Sequence, residues 1–427
     1  MNRRARWQLG WASAGVLLGA ADTYVVVVAL PAIMNGVGIG LDQIQRATPA
    51  ISGYLLGYVA VLPLLGRLSD LRGRGPVLVG CLIAFASGSA ITAGAHSLPL
   101  LVAGRGLQGL GGGGMVPVTL ALVADRWPAE DRGIPLGVVG AVQELGAVLG
   151  PLYGAAIVAV AGWRWIFWIN LPLAALLALG FRRSTPRGTG PVGADGSEAR
   201  RVDWAGATFL TLGAVAALGA LAAPHFLASD PTVGRLYVPL AHGPTWATLT
   251  TPLALIALGL LVCFVVREAT APASVRALLP LRQLGPVLRQ ADLPGAALLA
   301  GLLACVVVAF STTDPSRQVV ASSTPVLAVV GAVCLVGFVF DQRRSSHPLL
   351  EGRSLARPGA WGALAVNLAV GAALMAALVD VPLFARDTRY PTSQLGAALE
   401  LLRFLVAVPV GAILGGVISR HRRAGTY

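Results

Sequence analysis

Residues 66–78, GRLSDLRGRGPVL, interrupt an apolar part of the chain with a short basic turn. An apolar run at 45–66 precedes this turn, and another at 76–95 follows it. Each run is about as long as the roughly 20 apolar residues that a helix needs to cross the hydrocarbon core of a membrane. The stretch therefore predicts two membrane-spanning helices joined by a charged turn at the water boundary.

Ten further apolar runs flank this pair. Together they give twelve predicted spans: 8–34, 45–66, 76–95, 98–123, 133–159, 164–181, 204–223, 247–266, 293–312, 324–340, 359–385 and 394–418. Each run must be helical, because backbone polar groups find no partners in lipid. Charged residues make up 12% of the 427 residues, against about 25% in soluble proteins. This composition excludes an ordinary soluble enzyme and a disordered chain, and it predicts an all-α membrane protein.

The basic residues indicate how the spans are oriented. All 32 are Arg: 24 fall in segments on the side of the amino terminus, six fall in loops on the opposite side, and Arg105 and Arg403 lie inside spans. Cytoplasmic segments of membrane proteins carry such an excess of basic residues. We therefore expect a multi-pass protein with a cytoplasmic amino terminus. Because the Arg residues follow this topology, the net charge of +13 does not predict nucleic-acid binding.

No residue pattern predicts a metal, a cofactor or an enzyme. The four Cys lie singly in apolar runs and the five His are scattered, so neither type has metal-ligand spacing. The sequence contains no phosphate-binding loop of the ATPase kind and no nucleophile motif. The G-x-G-x-x-G match at 104–109 lies inside an apolar run instead of following a strand, so it does not predict a dinucleotide site.

The spans form unequal groups along the chain. Six fill residues 1–181, a polar segment at 182–203 is typical of a linker, four more spans occupy 204–358, and two follow in 359–427. Residues 401–425 are similar to residues 51–75, pairing Gly66 with Gly416 and Arg72 with Arg422. Many secondary transporters consist of two similar halves. We therefore expect the last two spans to begin a second bundle that is truncated at Tyr427, the alternative being a complete transporter of twelve spans.

The loop at 224–246 contains a candidate for local structure. Its stretch from Val233 to Pro239 is followed by His242-Gly243-Pro244. Turn-forming residues beside such a stretch are typical of a β-hairpin. We expect a short hairpin on the side of the membrane opposite the amino terminus.

Four motifs within residues 18–172 together resemble the major facilitator superfamily. Residues 66–78 resemble its signature G-x-L-x-D-r-x-G-r-r, with Leu71 and Gly75 at two commonly basic positions. Residues 101–113, LVAGRGLQGLGGG, resemble the span-four pattern, and residues 146–155, GAVLGPLYGA, the antiporter motif G-x-x-x-G-P-x-x-G-G. Residues 163–172, WRWIFWINLP, resemble the turn into span six of the fourteen-span drug:proton antiporters. The resemblance implies the major facilitator fold, although that group has two spans between its halves and this chain has four.

Span one carries a finer resemblance. The stretch from Asp22 to Pro31, DTYVVVVALP, is similar to the pattern D-x-T-v-v-n-v-A-l-P, with Tyr24 and Val27 in place of Thr and Asn. With AVQELG at 141–146, it resembles the branch that exports triacylglycerides in mycobacteria together with a periplasmic lipoprotein. This resemblance implies proton-coupled export of lipid or amphiphilic drugs across the bacterial inner membrane, in contact with membrane lipid. Multidrug efflux alone, and an uncoupled channel or receptor, are the alternatives.

Three charged residues inside predicted spans are candidates for proton coupling: Asp22, Glu144 and Arg105. Such charges cost on the order of 3 kcal/mol in a bilayer, so each needs a role or a partner. A carboxylate in a low-dielectric cavity favours its neutral form and can therefore carry a proton. Arg105 would hold a carboxylate or lower its affinity for the proton. The alternative is a permanent structural pair between Asp22 and Arg105.

The resemblance also implies two further sets of site residues. One is a latch that contacts the other half of the transporter when the cytoplasmic side is shut: Gly66, Arg67, Asp70, Arg72, Gly73 and Arg74. The other is the antiporter motif in span five: Gly146, Gly150, Pro151 and Gly154. Small residues at this spacing also let helices approach closely, and the proline predicts a bend. Membrane anchoring by the basic residues and static packing of the glycines are the alternatives.

Overall fold

The structure is a computed structural model of the chain. It describes residues 3–40, 44–184, 201–223, 230, 232–240, 250–270, 275–276, 292–311, 323–345, 348–349, 358–389, 400, 403, 407–411 and 414–415. Most of the linker predicted at 182–203 and most of the twelfth predicted span lie outside the described residues. The carboxy-terminal stretch that is similar to residues 51–75 also lies largely outside them.

Twelve α-helices follow one another through the described ranges: α1 Arg3–Gly36, α2 Ile44–Ala47, α3 Pro49–Arg72, α4 Arg74–Ala93, α5 Leu98–Arg126, α6 Gly133–Ala161, α7 Arg164–Ser184, α8 Trp204–Ala222, α9 Pro252–Thr270, α10 Leu293–Ser311, α11 Thr324–Arg344 and α12 Pro358–Thr388. Each of the first eleven predicted spans coincides with one of the long helices. Within the part of the chain that the structure describes, nine helices are long and apolar enough to cross a membrane. The predicted all-α membrane fold is confirmed.

The helices end where the sequence changes character. Gly73, between α3 and α4, has a φ of 88°, a left-handed conformation that favours glycine. Gly162 ends α6 in the same way, with a φ of 88°. Helices α3 and α7 run past their apolar stretches to Arg72 and Arg183. Long Arg stems can lie along apolar surface while their guanidinium groups reach water, so such residues extend a membrane helix beyond the lipid.

Helices α1 and α3–α7 pack into one bundle. Helix α5 lies against both α3 and α4, α1 packs on α6, and α4 packs on α7. We call the two ends of the bundle the Asp70 end, at the turn between α3 and α4, and the Trp163 end, at the turn between α6 and α7. One apolar cluster holds residues 12–18 of α1, and a second holds residues 25–34 of that helix. Asp22 therefore lies between the two apolar clusters.

Two helix pairs follow the bundle, α8 with α9 and α10 with α11. The first helix of each pair is capped by an aspartate, and the cap is followed by a glycine three residues later: Asp203 with Gly206, and Asp292 with Gly295. A Cβ on either glycine would lie within 3 Å of the capping carboxylate and of an acidic side chain from the second helix, Glu268 or Asp341. The second helix of each pair begins at a Thr-Pro sequence. The acidic residue lies the same number of positions after that threonine in both pairs: Glu268 after Thr251, and Asp341 after Thr324. The two pairs thus close their ends in the same way.

Two local features differ from expectation. Arg201–Val202 and Val275–Arg276 form a parallel strand pair of two residues each, beside the ends of α8 and α9. The hairpin expected between Val233 and Pro239 is wrong, because Val233–Tyr237 forms a 3₁₀-helix. The Asp230 carboxylate accepts hydrogen bonds from the backbone N–H groups of Thr232 (2.8 Å) and Val233 (3.0 Å). An acceptor at this position satisfies the first amides of a helical turn, and so it favours the helix over a strand.

Candidate functional site

The antiporter-motif glycines bring α6 against α1 on either side of Asp22. A Cβ on Gly146 would lie 2.8 Å from the Leu17 carbonyl oxygen, and one on Gly150 would lie 2.4 Å from the Ala21 carbonyl oxygen. A Cβ on Gly154 would lie 2.4 Å from Val25 Cγ2. These close contacts exist only because the glycines have no side chain. Helix α6 is continuous through Pro151, so α1 is held along several turns that include the buried carboxylate.

Helix α5 is fixed to its neighbours by a second glycine seam. A Cβ on Gly109 would lie 2.1 Å from the Tyr54 carbonyl oxygen of α3, and one on Gly111 would lie 2.4 Å from the Phe85 amide nitrogen of α4. The close approach of three helices leaves little room for side chains between them. Arg105 is one of the few large side chains in this seam, and it is fully buried.

Asp22 and Arg105 form an ion pair in the centre of the bundle. Arg105 Nη1 donates a hydrogen bond to Asp22 Oδ2, and both side chains are at most 1% exposed. Arg105 Nε also donates to the Ala50 carbonyl oxygen at 3.2 Å. The guanidinium carbon lies 4.3 Å from the centre of the Tyr54 ring, within the range of a cation–π interaction. The structure thus joins two of the three predicted proton-coupling residues.

Two amide side chains complete the surroundings of the pair. Asn170 Nδ2 of α7 donates to Asp22 Oδ1 at 2.8 Å. Arg105 Nη1 donates to Gln108 Oε1 at 2.8 Å, and Gln108 Nε2 donates to Ser89 Oγ at 2.7 Å. Both carboxylate oxygens of Asp22 therefore have a donor. A charged group buried in a low-dielectric interior is stable only if its polar atoms have hydrogen-bond partners in this way.

Glu144, the third predicted coupling residue, is not part of this network. It lies on α6 and is half-buried, within electrostatic range of Tyr24 on α1. The ion pairs found among the described residues do not include Glu144. Helices α1 and α6 run in the same direction, because the glycines of α6 meet α1 residues in the same order along both helices. Gly150 packs on Ala21, so Glu144, six positions before Gly150, lies level with Gly15 of α1. At 1.5 Å per residue it sits about 10 Å closer to the Asp70 end than Asp22 does.

At the Asp70 end, the structure brings together two of the predicted latch residues and one further carboxylate. Arg74 pairs with Asp70 of α3, and its Nε donates to Asp125 Oδ2 of α5 at 2.9 Å. Both carboxylates are about half exposed. Gly66 is different from the other motif glycines, because a Cβ there would meet no atom within 4 Å. The contacts described for this turn lie within the six-helix bundle, so the predicted contact with another half stays a prediction.

The remaining latch residues, Arg67 and Arg72, lie on the last turns of α3. Both are partly buried. Helix α4 then begins at Arg74, directly after the left-handed Gly73. The geometry is that of a tight basic turn, as the sequence predicts, with the ion pairs concentrated on Arg74.

The Trp163 end is closed by aromatic packing. A Cβ on Gly36 of α1 would lie 2.3 Å from Trp163 Nε1, so the indole lies directly on the end of that helix. Arg164 Nη2 donates to the Ala95 carbonyl oxygen at 2.8 Å. Burial and the neighbouring Arg164 charge lower the pKa of His96 below its ordinary value. A histidine pKa lowered by burial and by a half-buried cation is consistent with a packed end of the bundle.

Sequence reasoning missed two members of the buried network, and one residue of the ion-pair cluster at the Asp70 end. Asn170 lies in the quoted stretch WRWIFWINLP but was not assigned a role, and Ser89 and Asp125 were not singled out. An amide inside an apolar span carries a signal, because unsatisfied polar groups are costly in lipid. That signal indicates a need for some partner, whereas only the packing of α7 against α4 and α1 identifies Asp22 as that partner.

Comparison with known proteins places this geometry in a family. The Major Facilitator Superfamily matches residues 12–419. The chain is 35% identical over 413 residues to a triacylglyceride transporter of Mycobacteroides abscessus, covering 96% of this chain and 62% of that protein. It is 35% identical over 430 residues to a triacylglyceride transporter of Mycobacterium tuberculosis H37Rv, covering 100% of this chain and 64% of that protein. The chain thus spans less than two thirds of the length of these relatives.

A solved structure is also similar to this chain. It is the partially occluded inward-open xylose transporter XylE from E. coli, at 14% identity and a TM-score of 0.43, covering 98% of this chain and 84% of that one. The family match extends over nearly the whole sequence, and it includes the helices that carry Asp22, Arg105 and the glycine seams. The chain therefore belongs to the Major Facilitator Superfamily, a family of membrane transporters rather than enzymes.

Proposed function

We propose that this chain forms the proton-coupled part of a secondary transporter that exports triacylglyceride-like lipids or amphiphilic drugs by alternating access. The observation that carries the proposal is the Asp22–Arg105 pair, which lies buried at the centre of the first bundle. The lipid substrate is supported by the names of the relatives, which are triacylglyceride transporters at 35% identity.

The chemistry of the pair suits a proton carrier. An ionised Asp22 is held by Arg105 and Asn170, and its side chain is fully buried. When Asp22 takes up a proton, the charge-assisted bond to Arg105 is lost, and the attraction that holds α1 to α5 weakens. A proton can therefore shift the balance between two arrangements of the helices, as alternating access requires.

Glu144 supplies a second proton site on the same helix pair. It is half-buried and lies about 10 Å from Asp22 towards the Asp70 end, estimated from the helix rise. The excess of Arg residues assigns that end to the cytoplasm. Glu144 would then exchange protons with the cytoplasm, while Asp22 binds them at the centre of the bundle. The Asp70 turn acts as the latch that stabilises the state closed to the cytoplasm.

The location and partners follow from the same proposal. The chain lies in the bacterial inner membrane with its amino terminus in the cytoplasm, and exported lipid leaves on the opposite side. A triacylglyceride is almost insoluble in water, so a lipoprotein carrier on that side would accept it. The apolar outer faces of α8–α11, which carry many exposed Leu and Val side chains, provide surface in contact with membrane lipid.

The test uses the purified chain in proteoliposomes that contain a fluorescent triacylglyceride. A pH gradient is imposed, and lipid movement is measured for the unchanged protein, Asp22→Asn and Glu130→Gln. Glu130 is an exposed carboxylate outside the long helices, so its variant controls for the loss of one negative charge. We expect gradient-driven movement to be lost in Asp22→Asn and retained in Glu130→Gln.

Three outcomes would overturn parts of the proposal. Gradient-driven lipid movement by Asp22→Asn would show that Asp22 is not the coupling group. Movement of amphiphilic dyes but not of triacylglyceride by the unchanged protein would favour multidrug efflux alone. Movement that follows the substrate gradient at every pH would favour an uncoupled channel.

A further inference from the structure

Asn170 is the only contact that α7 makes with the Asp22 carboxylate among the hydrogen bonds of the described residues. Its side chain is 1% exposed and lies in the middle of the apolar helix Arg164–Ser184. Asn170 Nδ2 donates to Asp22 Oδ1 at 2.8 Å and to Ser89 Oγ at 3.3 Å. The amide therefore connects α7 to α1 and α4 at the level of the ion pair.

The hydrogen bonds around Asp22 form a closed ring. Starting from the carboxylate, the ring passes through Arg105, Gln108, Ser89 and Asn170, and it returns to Asp22. The five side chains come from four helices, α1, α4, α5 and α7, and none is more than 1% exposed. The ring thus links most of the bundle through polar side chains alone.

The chemistry of Arg105 fixes the direction of each hydrogen bond in the ring. A guanidinium only donates, so Gln108 must present its carbonyl oxygen to Arg105 and its NH₂ group to Ser89. An ionised carboxylate only accepts, so Asn170 must present its NH₂ group to Asp22. In this arrangement both carboxylate oxygens of Asp22 face donors, which suits its negatively charged form.

Protonation of Asp22 changes what each neighbour must do. A carboxylic acid carries an O–H group that needs an acceptor, and Arg105 cannot accept a hydrogen bond. Asn170 can accept if its amide turns by about 180°, so that its carbonyl oxygen faces the acid. Ser89 tolerates this turn, because its hydroxyl group can donate as well as accept. Within the ring, Asn170 is thus the neighbour of Asp22 that can bind both the charged and the neutral form.

We propose that Asn170 is a positioning residue that responds to the protonation state of Asp22 and transmits it to α7. The inference rests on the proposed function, because it assumes that Asp22 takes up and releases a proton during transport. In the charged state the amide donates to Asp22, and in the neutral state it turns and accepts. The position of α7 relative to α1 follows that exchange of partners.

The test measures the pH dependence of transport in proteoliposomes for three variants. Asn170→Leu removes both the donor and the acceptor, Asn170→Ser keeps a group that can do both, and Asn170→Asp keeps the shape but introduces a second acid. Asn367→Leu is the matched control, because Asn367 lies in the helix α12 with an exposed side chain. Thermal unfolding in detergent reports whether each variant is folded.

We expect Asn170→Leu to lower gradient-driven transport at least about tenfold. This is the effect expected when one hydrogen bond to a charged group is lost. Its remaining activity should have a midpoint at higher pH, because the charge-assisted hydrogen bond lost from the charged form of Asp22 is stronger than the bond lost from the neutral form. Asn170→Asp should move the midpoint upward by about one pH unit or more, because two facing acids share a proton. Asn170→Ser should restore the original profile, and Asn367→Leu should leave both rate and profile unchanged.

The outcomes separate this inference from the proposed function. If Asp22→Asn abolishes coupling while folded Asn170→Leu and Asn170→Asp keep the unchanged pH profile, the role of Asn170 is overturned and that of Asp22 stands. If Asp22→Asn itself retains coupling, the proposed function fails first. Should Asn170→Leu not fold, the profile of the isosteric Asn170→Asp decides the question.

Discussion

The first six-helix bundle and the helix pairs that follow it use polar residues in opposite places. In the bundle, an ion pair lies in the centre, between two apolar clusters, and glycine seams on α5 and α6 hold the helices around it. In the pairs α8–α9 and α10–α11, the charged contacts lie at the helix ends, at Asp203 and Asp292. The middle turns of these four helices contain no charged residue.

The difference shows which helices are specified by contact with one another. Lipid is as apolar as leucine, so apolar side chains alone hardly distinguish a neighbouring helix from the bilayer. Glycine seams and buried polar groups provide that distinction, and they occur together in the first bundle. In the pairs, the capping carboxylates meet the second helix at the helix ends. Buried polar contacts at the centre thus specify which helices are neighbours in the first bundle, and capping carboxylates join the helices of each later pair at their ends.

Removing the central carboxylate should have the largest effect on stability. Asp22→Ala leaves the Arg105 charge buried without its partner, which costs about 3–5 kcal/mol. The double variant Asp22→Ala with Arg105→Leu should recover part of that loss, because no unpaired charge remains. Thermal unfolding in detergent measures both. Equal destabilisation of the single and double variants would contradict a buried pair at the centre of the bundle.

Filling the glycine seam should have the next largest effect. A Cβ on Gly150 would lie 2.4 Å from the Ala21 carbonyl oxygen, so Gly150→Ala forces α6 away from α1. Overpacking of this kind costs about 1–3 kcal/mol. Gly66→Ala is the matched control, because a Cβ there meets no atom within 4 Å. The melting temperature should fall for Gly150→Ala only, and a similar fall for Gly66→Ala would speak against the seam as described.

Removing a terminal clamp should have a smaller effect. The Asp203 carboxylate accepts from the Gly206 amide at 3.1 Å and pairs with Arg267. Burial alone would raise the pKa of Asp203, but these hydrogen bonds and the Arg267 charge hold the pKa below its ordinary value. Asp203→Ala should cost about 1 kcal/mol, the usual contribution of a helix cap. Hydrogen exchange at the first turn of α8 reports the loss.

The same carboxylate gives that clamp a pH dependence with a defined sign. Because its pKa is lowered in the folded protein, Asp203 contributes stability above its unfolded pKa of about 3.9. That contribution is lost as the pH falls through the lower folded value. The protection factor at α8, which removes the intrinsic pH dependence of exchange, should therefore fall in acid for the unchanged protein and stay constant for Asp203→Ala. A matching acid response in both proteins would contradict the role of Asp203.

The ion pairs of the Asp70 turn should contribute least to stability. Asp70 and Asp125 are about half exposed, and ion pairs with exposed partners are worth about 0–1 kcal/mol. Asp70→Asn should leave the melting temperature nearly unchanged, while slowing the transport cycle if the turn acts as a latch. Substrate binding and transport rate, measured side by side, separate the two effects. An unchanged rate would leave the turn as a membrane anchor.

Much of the candidate site follows from simple rules, and its partners do not. The cost of charge in a bilayer identifies Asp22, Arg105 and Glu144 as residues that need a role. The rule does not predict that Asp22 pairs with Arg105 and that Glu144 does not join them. The helices that carry these residues are far apart in the sequence, so their contacts depend on how the helices pack. The sequence shows the glycines of α6 as a motif, but it does not show that they pack against α1. Asn170 and Ser89 were missed for the same reason, since each looks like a single polar residue in an apolar span.

The sequence by itself determined that this chain is a bundle of membrane helices, because the length of each apolar run and the lack of backbone partners in lipid allow little else. It also determined the charged turn at residues 66–78 and the family resemblance carried by the motifs. Only the tertiary structure decided that five side chains from four helices close a ring around Asp22. The physical reason is that apolar helices can pack in many orders in a membrane, whereas a closed ring of buried donors and acceptors is satisfied in only one.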